Sequence, residues 1–455
     1  MRHAITSLLC LIFLTQVSAQ PDSLLVSKLY EEALGRGECH ENLRVLCKDI
    51  GHRLSGSESL DRAIVWGERL LASYGADEVE LQTVNVPHWS RGTKAQATFN
   101  SKKEEGVLRI TALGGSVPTE GELTAQVIEV KRLEDLEKLG EAQIKGKIVL
   151  FNRAMDPLMI NTGSAYGGAF DQRSDGASTA SKYGAVGVLV RSLTHALDTF
   201  PHTGSMTYRE GVTPIPAAAI STVDADRLHK VLLADPATQV SMNMDCIKYE
   251  NRDQANVIAT LRGNDENTGE HVIVLGGHLD SWDIGEGAHD DGAGIVHVIE
   301  ALRIMKAIGY QPRHTIRVVL YINEENGNHG GITYAERASE NNETHIAAIE
   351  SDSGGFTPRG YNTECGDTLY QALTAWIENL EIYGIHQVKR GWSGVDIRPL
   401  KPQTTNLFGF IPDGQRYFDY HHSNRDVFEN VNKRELELGA ASIAALAIYL
   451  DMYLP

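Results

Sequence analysis

The feature that most constrains the fold is an alternation of apolar runs with amphipathic segments, which begins near Ile247. The runs at 271–275, 315–322 and 346–349 are short and mainly apolar, which is typical of strands covered on both faces. After the first run, apolar residues recur at helical spacing over 295–308. This order predicts an α/β fold in which helices flank a mostly parallel sheet.

The region before residue 113 has a helical pattern. It runs from Ser23 to about Thr98 and includes one apolar face, over 60–71, that ends at Gly75. We interpret residues 20–115 as the N-terminal part of the main domain and residues 246–455 as its C-terminal part.

Between these parts the sequence pattern changes, and short β-like runs are separated by Gly-rich turns. One helix-like stretch, at 177–183, interrupts them. The runs lie at 126–130, 147–151 and 186–190. We predict that residues 116–245 form a separate inserted domain.

The N-terminal sequence is typical of an export signal. Arg2 and His3 precede an apolar stretch, and Val17-Ser18-Ala19 offers small residues for cleavage. The stretch is shorter than the ~20 residues that span a bilayer. We therefore predict a signal peptide over 1–19 and a secreted, periplasmic or lumenal location. No later stretch predicts a membrane span.

Composition excludes some functions. Asp plus Glu is 60 and Lys plus Arg is 42, so the net charge of −18 argues against a nucleic-acid partner. With 42% apolar residues the chain is typical of a folded globular protein. Outside the predicted signal, the cysteines permit up to two disulfides, with Cys39–Cys47 the favoured local bridge. They are Cys39, Cys47, Cys246 and Cys365.

Ionisable residues follow each predicted strand. In open α/β sheets, ligands bind beyond the carboxyl ends of the strands. A further pair of histidines lies far downstream. The residues are His278, Asp280 and Asp290 after the first strand, Glu324 and Glu325 after the second, Asp352 after the third, and finally His421 and His422.

Taken singly these signals are weak, because an acidic pair after a strand is more often a solvated loop or a helix cap. Together, five of them form an imidazole and carboxylate set that suits Zn²⁺. Five ligands exceed the needs of one tetrahedral zinc with an open position, whereas two zinc ions bridged by a carboxylate use them all. The set is His278, Asp290, Glu325, Asp352 and His422.

Two neighbouring carboxylates have predicted supporting roles. Asp280 lies two residues from His278, so on a continuing strand its carboxylate would accept the other ring N–H of that histidine. Glu324 adjoins Glu325 but points elsewhere, which suits a general base acting on water. The alternative for Glu324 is a solvated surface carboxylate.

These motifs resemble the di-zinc exopeptidases, a family that includes secreted aminopeptidases, glutamate carboxypeptidase and, as the nearest branch, carboxypeptidase Q. They appear here as Gly277-His278-Leu279-Asp280, Asp290-Asp291-Gly292, Glu324-Glu325, Glu350-Ser351-Asp352 and His421-His422-Ser423. Pro201-His202-Thr203-Gly204 within the insertion looks like part of the protease-associated domain of the family.

The resemblance implies a role for each candidate. His278 and Asp352 would hold one zinc, Glu325 and His422 the other, and Asp290 would bridge them. The catalytic base would be Glu324, and the substrate a short peptide or dipeptide cleaved at a terminal bond. A homodimer is also implied.

One residue departs from many members of the family, which carry Tyr where this chain has His421. We expect His421 either to donate to the oxyanion or simply to pack beside the site. Asp396 matches a substrate-side motif loosely and is equally well interpreted as a helix cap. Three other residues stay outside the set: Ser353 as a turn residue, His289 as a loop residue and His297 as a helix-face residue.

Two other classes compete with the exopeptidase. A glutaminyl-cyclase-like acyltransferase would bind one zinc through an Asp, a Glu and a His, and would not need His278 and Asp352. A non-catalytic relative resembling the transferrin receptor would have lost ligands. The terminus recognised in a substrate stays open, because Arg390, Arg398 and Lys401 are equally well interpreted as anchors for a carboxylate or as solvated charges.

Overall fold

The computed structural model describes residues 23–455, so the predicted signal peptide lies outside the described residues. The α-helices are α1 Ser23–Arg36, α2 Cys39–Arg44, α3 Glu58–Ser73, α4 Glu134–Leu139, α5 Glu141–Ile144, α6 Thr162–Gly167, α7 Asp171–Ser174, α8 Gly176–Lys182, α9 Thr222–Ala234, α10 Ala293–Ala307, α11 His329–Glu340, α12 Asp367–Trp376, α13 Tyr417–Tyr420 and α14 Lys433–Tyr453. Other helical turns cover Val45–Ile50, Ala288–Gly292, Ile377–Tyr383, Arg398–Leu400, Gly414–Arg416 and Phe428–Asn430.

The strands fall into two eight-stranded sheets and one small pair. They are β1 Glu78–Val86, β2 Trp89–Ser90, β3 Ala95–Asn100, β4 Glu105–Leu108, β5 Ile110–Ala112, β6 Leu123–Val130, β7 Ile148–Phe151, β8 Gly187–Arg191, β9 Ala217–Ile220, β10 Gln239–Met244, β11 Ile247–Lys248, β12 Arg252–Leu261, β13 Val272–His278, β14 Thr315–Tyr321, β15 His345–Glu350, β16 Pro358–Thr363, β17 Gln387–Arg390 and β18 Leu407–Pro412.

The main sheet has the order β1-β12-β14-β13-β15-β18-β16-β17. Its centre is parallel, as predicted, because β13 pairs in parallel with β14 and β15, and β15 with β18. Antiparallel pairs flank this centre: β12 runs antiparallel to β1 and β14, and β16 runs antiparallel to β18, whereas the edge strand β17 runs parallel to β16. The fold is therefore α/β with a mixed main sheet.

The core of the main domain lies where α10 and α14 pack against this sheet. The apolar runs that predicted strands are completely buried in β13 and almost completely buried in β14 and β15, and the helical spacing after 294 forms α10. Among residues 23–455, α14 is the helix long and apolar enough to cross a membrane, with a mean hydropathy of 1.4. Within the protein 83% of that segment is buried, so its apolarity is accounted for by core packing.

The second sheet has the order β4-β3-β10-β6-β7-β8-β9-β5 and draws all its strands from residues 95–244, which we call the second unit. The predicted runs at 126–130, 147–151 and 186–190 fall in β6, β7 and β8. The sheet begins before residue 116, since β3 to β5 belong to it. Its two connections to the main domain meet in the β2–β11 pair.

Two expectations for the N-terminal region need correction. The helical pattern holds only as far as α3, and residues 78–98 contain β1, β2 and most of β3 instead. Their alternating burial is the signature of half-exposed strands rather than of a helix. In the described part of the chain all the cysteines are free and buried, so Cys39 and Cys47 form no disulfide.

Candidate metal centre

The predicted ligands meet at the carboxyl edge of the main sheet. His278 is the last residue of β13, Glu325 lies in the turn after β14 and Asp352 follows β15 directly. Asp290 precedes α10, and His422 follows α13. Parallel strands end at the same edge of a sheet, so residues far apart in the chain become neighbours there.

Asp290 stands between two groups of ligand atoms. Its Oδ1 lies 3.3 Å from Nε2 of His278, which lies 3.5 Å from Oδ1 of Asp352. Its Oδ2 lies 3.2 Å from Nε2 of His422, which lies 3.0 Å from Oε2 of Glu325. Each oxygen of one carboxylate therefore faces a different group.

The donor atoms fit zinc. Nε2 of His278, Oδ2 of Asp290 and Oε1 of Glu325 are buried and have no hydrogen-bond partner among residues 23–455. Buried polar atoms are seldom left unpaired unless a water or an ion satisfies them. Imidazole nitrogens with carboxylate oxygens are the donor set that zinc prefers.

Asp280 has a different partner from the one predicted. Nδ1–H of His278 donates to the backbone carbonyl of Asp280 at 3.0 Å, while the nearest carboxylate oxygen of Asp280 is 3.8 Å away. The predicted carboxylate contact is therefore wrong, because β13 ends at His278 and the alternation of strand side chains stops there. The carbonyl still leaves Nε2 free for a metal.

The carboxylate of Asp280 instead holds the turn after β14. It accepts the backbone N–H groups of Glu324 at 3.1 Å and Glu325 at 3.3 Å. Asp280 thereby connects the loop of one ligand with the turn that carries the next. It is a positioning residue.

Three residues to which the sequence assigned no role support the Asp290 loop. Asp426 accepts the backbone N–H groups of His289 and Asp290, at 2.7 and 3.1 Å. Asp291 accepts the N–H of His278 and caps α10 at Gly294. Arg53, fully buried, donates to four backbone carbonyls, three of them in the segment between β13 and Asp290, and no periodicity could have identified it. They are the carbonyls of Gly51, Leu279, Glu286 and Gly287.

The second unit reaches the histidine pair. Nδ1–H of His422 donates to the carbonyl of Thr203 at 3.2 Å, and the Thr203 N–H donates to the His422 carbonyl at 2.8 Å. Arg173, only 3% exposed, donates from Nη1 to the same Thr203 carbonyl. His202 donates from Nδ1 to the His421 carbonyl at 2.7 Å. Both histidines are thus held from outside the main sheet.

His421 lies beside the group around His422. Its ring stacks on that of His422 with centroids 3.5 Å apart, and its Nε2 is 3.5 Å from Oδ2 of Asp290. Burial lowers the pKa of His421 well below its ordinary value, and the neighbouring His422 lowers it further. A neutral ring carries one N–H group that can act as a donor.

Glu324 differs from the ligands. It is half-buried, and its carboxylate has no hydrogen bond within residues 23–455. Burial raises the pKa of Glu324 well above its ordinary value, and the carboxylates of Asp352, Glu325 and Asp290 add to that shift. A free carboxylate beside the ligand cluster is suited to receiving a proton.

Asp396 and the three excluded residues lie outside both groups. Asp396 is buried, and in the described part of the chain neither of its carboxylate oxygens is hydrogen-bonded. It therefore caps no helix there, and it does not line the cleft described next. Ser353 donates to the Asp352 carbonyl within a turn. His289 stacks on Phe356. His297 lies 3.0 Å from Oγ of Ser351.

A cleft of about 790 Å³ opens from this centre between the main domain and the second unit. Asp352 and His421 lie in its wall. Apolar side chains from both domains surround them: Ile160, Tyr166, Trp392, Phe410, Tyr417 and Phe418. The volume is suited to a small substrate.

Comparison with known proteins identifies the class. Residues 256–447 match the model of Peptidase family M28. Carboxypeptidase Q from Bos taurus is 31% identical over 427 residues, which are 93% of this chain and 87% of that protein. The chain belongs to Peptidase family M28, and it is a zinc-dependent exopeptidase.

Solved structures agree with the fold. The Peptidase M28 precursor from Shewanella amazonensis SB2B superposes with a TM-score of 0.87 at 33% identity, over 94% of this chain and 96% of that one. A zinc aminopeptidase from Bacillus subtilis superposes with a TM-score of 0.63 at 19% identity, over 90% and 94%. The second match concerns the fold alone.

Proposed function

We propose that this protein is a di-zinc exopeptidase that hydrolyses a terminal bond of short peptides or dipeptides. His278 and Asp352 would hold one zinc, Glu325 and His422 would hold the other, and Asp290 would be shared. The observation that carries the proposal is the position of Asp290, whose two oxygens face two separate imidazole nitrogens at 3.3 and 3.2 Å.

The chemistry follows from the groups around the centre. When bound, the zinc ions supply a Lewis acid and lower the pKa of water. The Glu324 carboxylate takes the proton from the attacking water and passes it to the leaving amine. The N–H of neutral His421 stabilises the developing oxyanion. The walls of the cleft hold the peptide beside these groups.

The test is product analysis by mass spectrometry on matched short peptides with free, N-acetylated or C-amidated ends, with and without a zinc chelator. We expect chelator-sensitive release of terminal residues and a zinc content of two ions per chain. Conversion of an N-terminal Gln in one of the peptides to a pyroglutamyl residue, with loss of ammonia and no peptide-bond cleavage, together with a content of one zinc, would favour the cyclase. No cleavage by the zinc-loaded protein would favour a binding role.

We also propose that residues 1–19 are removed on export and that the second unit is a protease-associated domain. The N-terminal sequence of the native protein tests the first proposal and should begin at Gln20. The position of the second unit in the chain supports the second proposal, since the unit is inserted between β1 and β12. A homodimer is tested by light scattering, which should give about twice the chain mass.

A further inference from the structure

The charged residues that line the cleft indicate which end of a peptide it binds. The sequence offered Arg390, Arg398 and Lys401 as anchors for a carboxylate. None of the three lines the cleft. The last two pair with Glu364, and Arg390 pairs with Asp367. All three charges are already neutralised.

A different cation lines the same cleft as Asp352 and His421. Lys389 lies on β17 with its side chain exposed, and within residues 23–455 its ammonium group makes no ion pair or hydrogen bond. Strand alternation directs Lys389 and Gln387 into the cleft and Arg390 to the opposite face. The one other basic lining residue, Arg359, is paired with Asp413 at 3.1 Å.

Two amides accompany this lysine. Asn362 on β16 is the register partner of Lys389, and Gln387 is two residues away on the same face of β17. Both line the cleft, and neither side chain is hydrogen-bonded in the described part of the chain. One ammonium and two amide groups therefore form a patch of donors, which we call the β16–β17 patch.

The cleft offers little to a positively charged group. Its acidic lining residues are Asp352, which we assign to a zinc ion, and Asp413, which is paired with Arg359 and caps the turn at Gln415. The charge left uncompensated in the lining is therefore positive. A carboxylate gains from such a site, whereas an ammonium group is repelled.

We propose that the β16–β17 patch binds the free α-carboxylate of the substrate, with Lys389 as its charged anchor and Asn362 and Gln387 as neutral donors. The inference rests on the proposed function and specifies it further: the substrates are short peptides with an unblocked C-terminus. Lys389 determines specificity and takes no part in proton transfer.

The test compares one short peptide with its C-terminal amide. We expect the amide to be the poorer substrate of the zinc-loaded enzyme. Lys389→Met should lower kcat/KM for the free peptide about 10- to 100-fold, mainly through KM, and leave the amide unchanged. Lys389→Arg should restore the preference. Arg390→Met, the neighbour on the other face of the strand, should keep the wild-type values.

The outcomes separate the two proposals. Equal rates of the wild-type enzyme on peptide and amide would overturn the inference and leave the exopeptidase intact. A preference for the free peptide over the amide that persists in Lys389→Met, with normal zinc content, would also overturn the inference. Absence of any chelator-sensitive cleavage in the wild-type protein would overturn the proposed function, and the inference with it.

Discussion

At the scale of single residues, backbone groups rather than side chains position the ligand histidines. His278 donates its Nδ1 proton to a carbonyl of its own loop, and His422 donates to the carbonyl of Thr203. Asp280 supports the centre through two backbone N–H groups. A sequence names side chains, so it offered the proposed ligands but not the backbone atoms that orient them.

Substitution of the base separates chemistry from metal binding. Glu324→Gln removes the proton acceptor and leaves all five proposed ligands in place. We expect two zinc ions per chain, as in wild type, and a kcat lower by roughly 10²–10⁴-fold. Metal analysis and steady-state kinetics on the same sample give both values. Turnover at the wild-type rate in a folded variant would eliminate Glu324 as the base.

The metal-free protein should lose stability as the pH rises from about 6.5 to 8.5. Burial raises the pKa of Asp426 and Glu325 to about 7 and that of Glu350 to about 8. These carboxyls are ionised in the unfolded chain across this range but still hold protons in the folded chain, so folding weakens as they ionise.

Zinc should reverse this trend, because its ligands bind in deprotonated form and the ion offsets their charge. Thermal unfolding in chelator, repeated with zinc at each pH, measures both effects. We expect the rise in Tm on adding zinc to be larger at pH 8.5 than at pH 6.5. A metal-free Tm that increases over this interval would contradict the argument.

At the scale of elements, the start of α10 lies too close to the segment after β15 for a side chain to fit between them. A Cβ on Gly294 would overlap the Ser351 carbonyl oxygen and the Asp291 carboxylate. Gly294→Ala should therefore cost roughly 1–3 kcal/mol of unfolding free energy, as overpacking does, and weaken zinc binding through the Asp290 loop.

The control is Gly35→Ala in α1, where an added Cβ meets nothing within 4 Å. Replacing a helical glycine there should be neutral or stabilising by up to about 1 kcal/mol. Urea unfolding of both variants measures the difference. Equal stability of the two variants would show that the contact between α10 and the segment after β15 is looser than the structure indicates.

The same elements show what the sequence could predict. Continuous apolar runs identified β13, β14 and β15, and helical spacing identified α10, because burial on both sides leaves an unambiguous pattern. The strands β3 to β5 were missed, and the start of the second unit was placed at residue 116. Short, half-exposed strands carry too few apolar residues to distinguish them from helix faces or loops.

At the scale of the whole molecule, the second unit belongs to the metal centre as well as to the cleft. Arg173→Met removes the guanidinium that donates to the Thr203 carbonyl, the acceptor for His422. We expect the affinity for one of the two zinc ions to fall about tenfold or more, while the other stays near wild type. Equilibrium dialysis with metal analysis measures both.

The matched control is Arg191→Met, which removes another buried cation of the second unit, one that interacts with Asn152 and Asp226 and not with His422. Both zinc ions should bind to it normally. If both variants lose zinc to the same extent, general unfolding of the second unit accounts for the loss. The proposal that Arg173 supports His422 through the Thr203 carbonyl would then be wrong.

The connections to the second unit have a consequence for how such proteins diversify. The strands that enter and leave the second unit pair at Ser90 and Ile247, so its two chain connections to the main domain lie side by side. Adjacent connections favour exchange of the unit between relatives by recombination. The contact between Thr203 and His422 limits such exchange, since a replacement unit must also present a carbonyl to His422. We expect chimaeras to fold readily and yet to need compensating changes around residues 173–204 before they hold both metals.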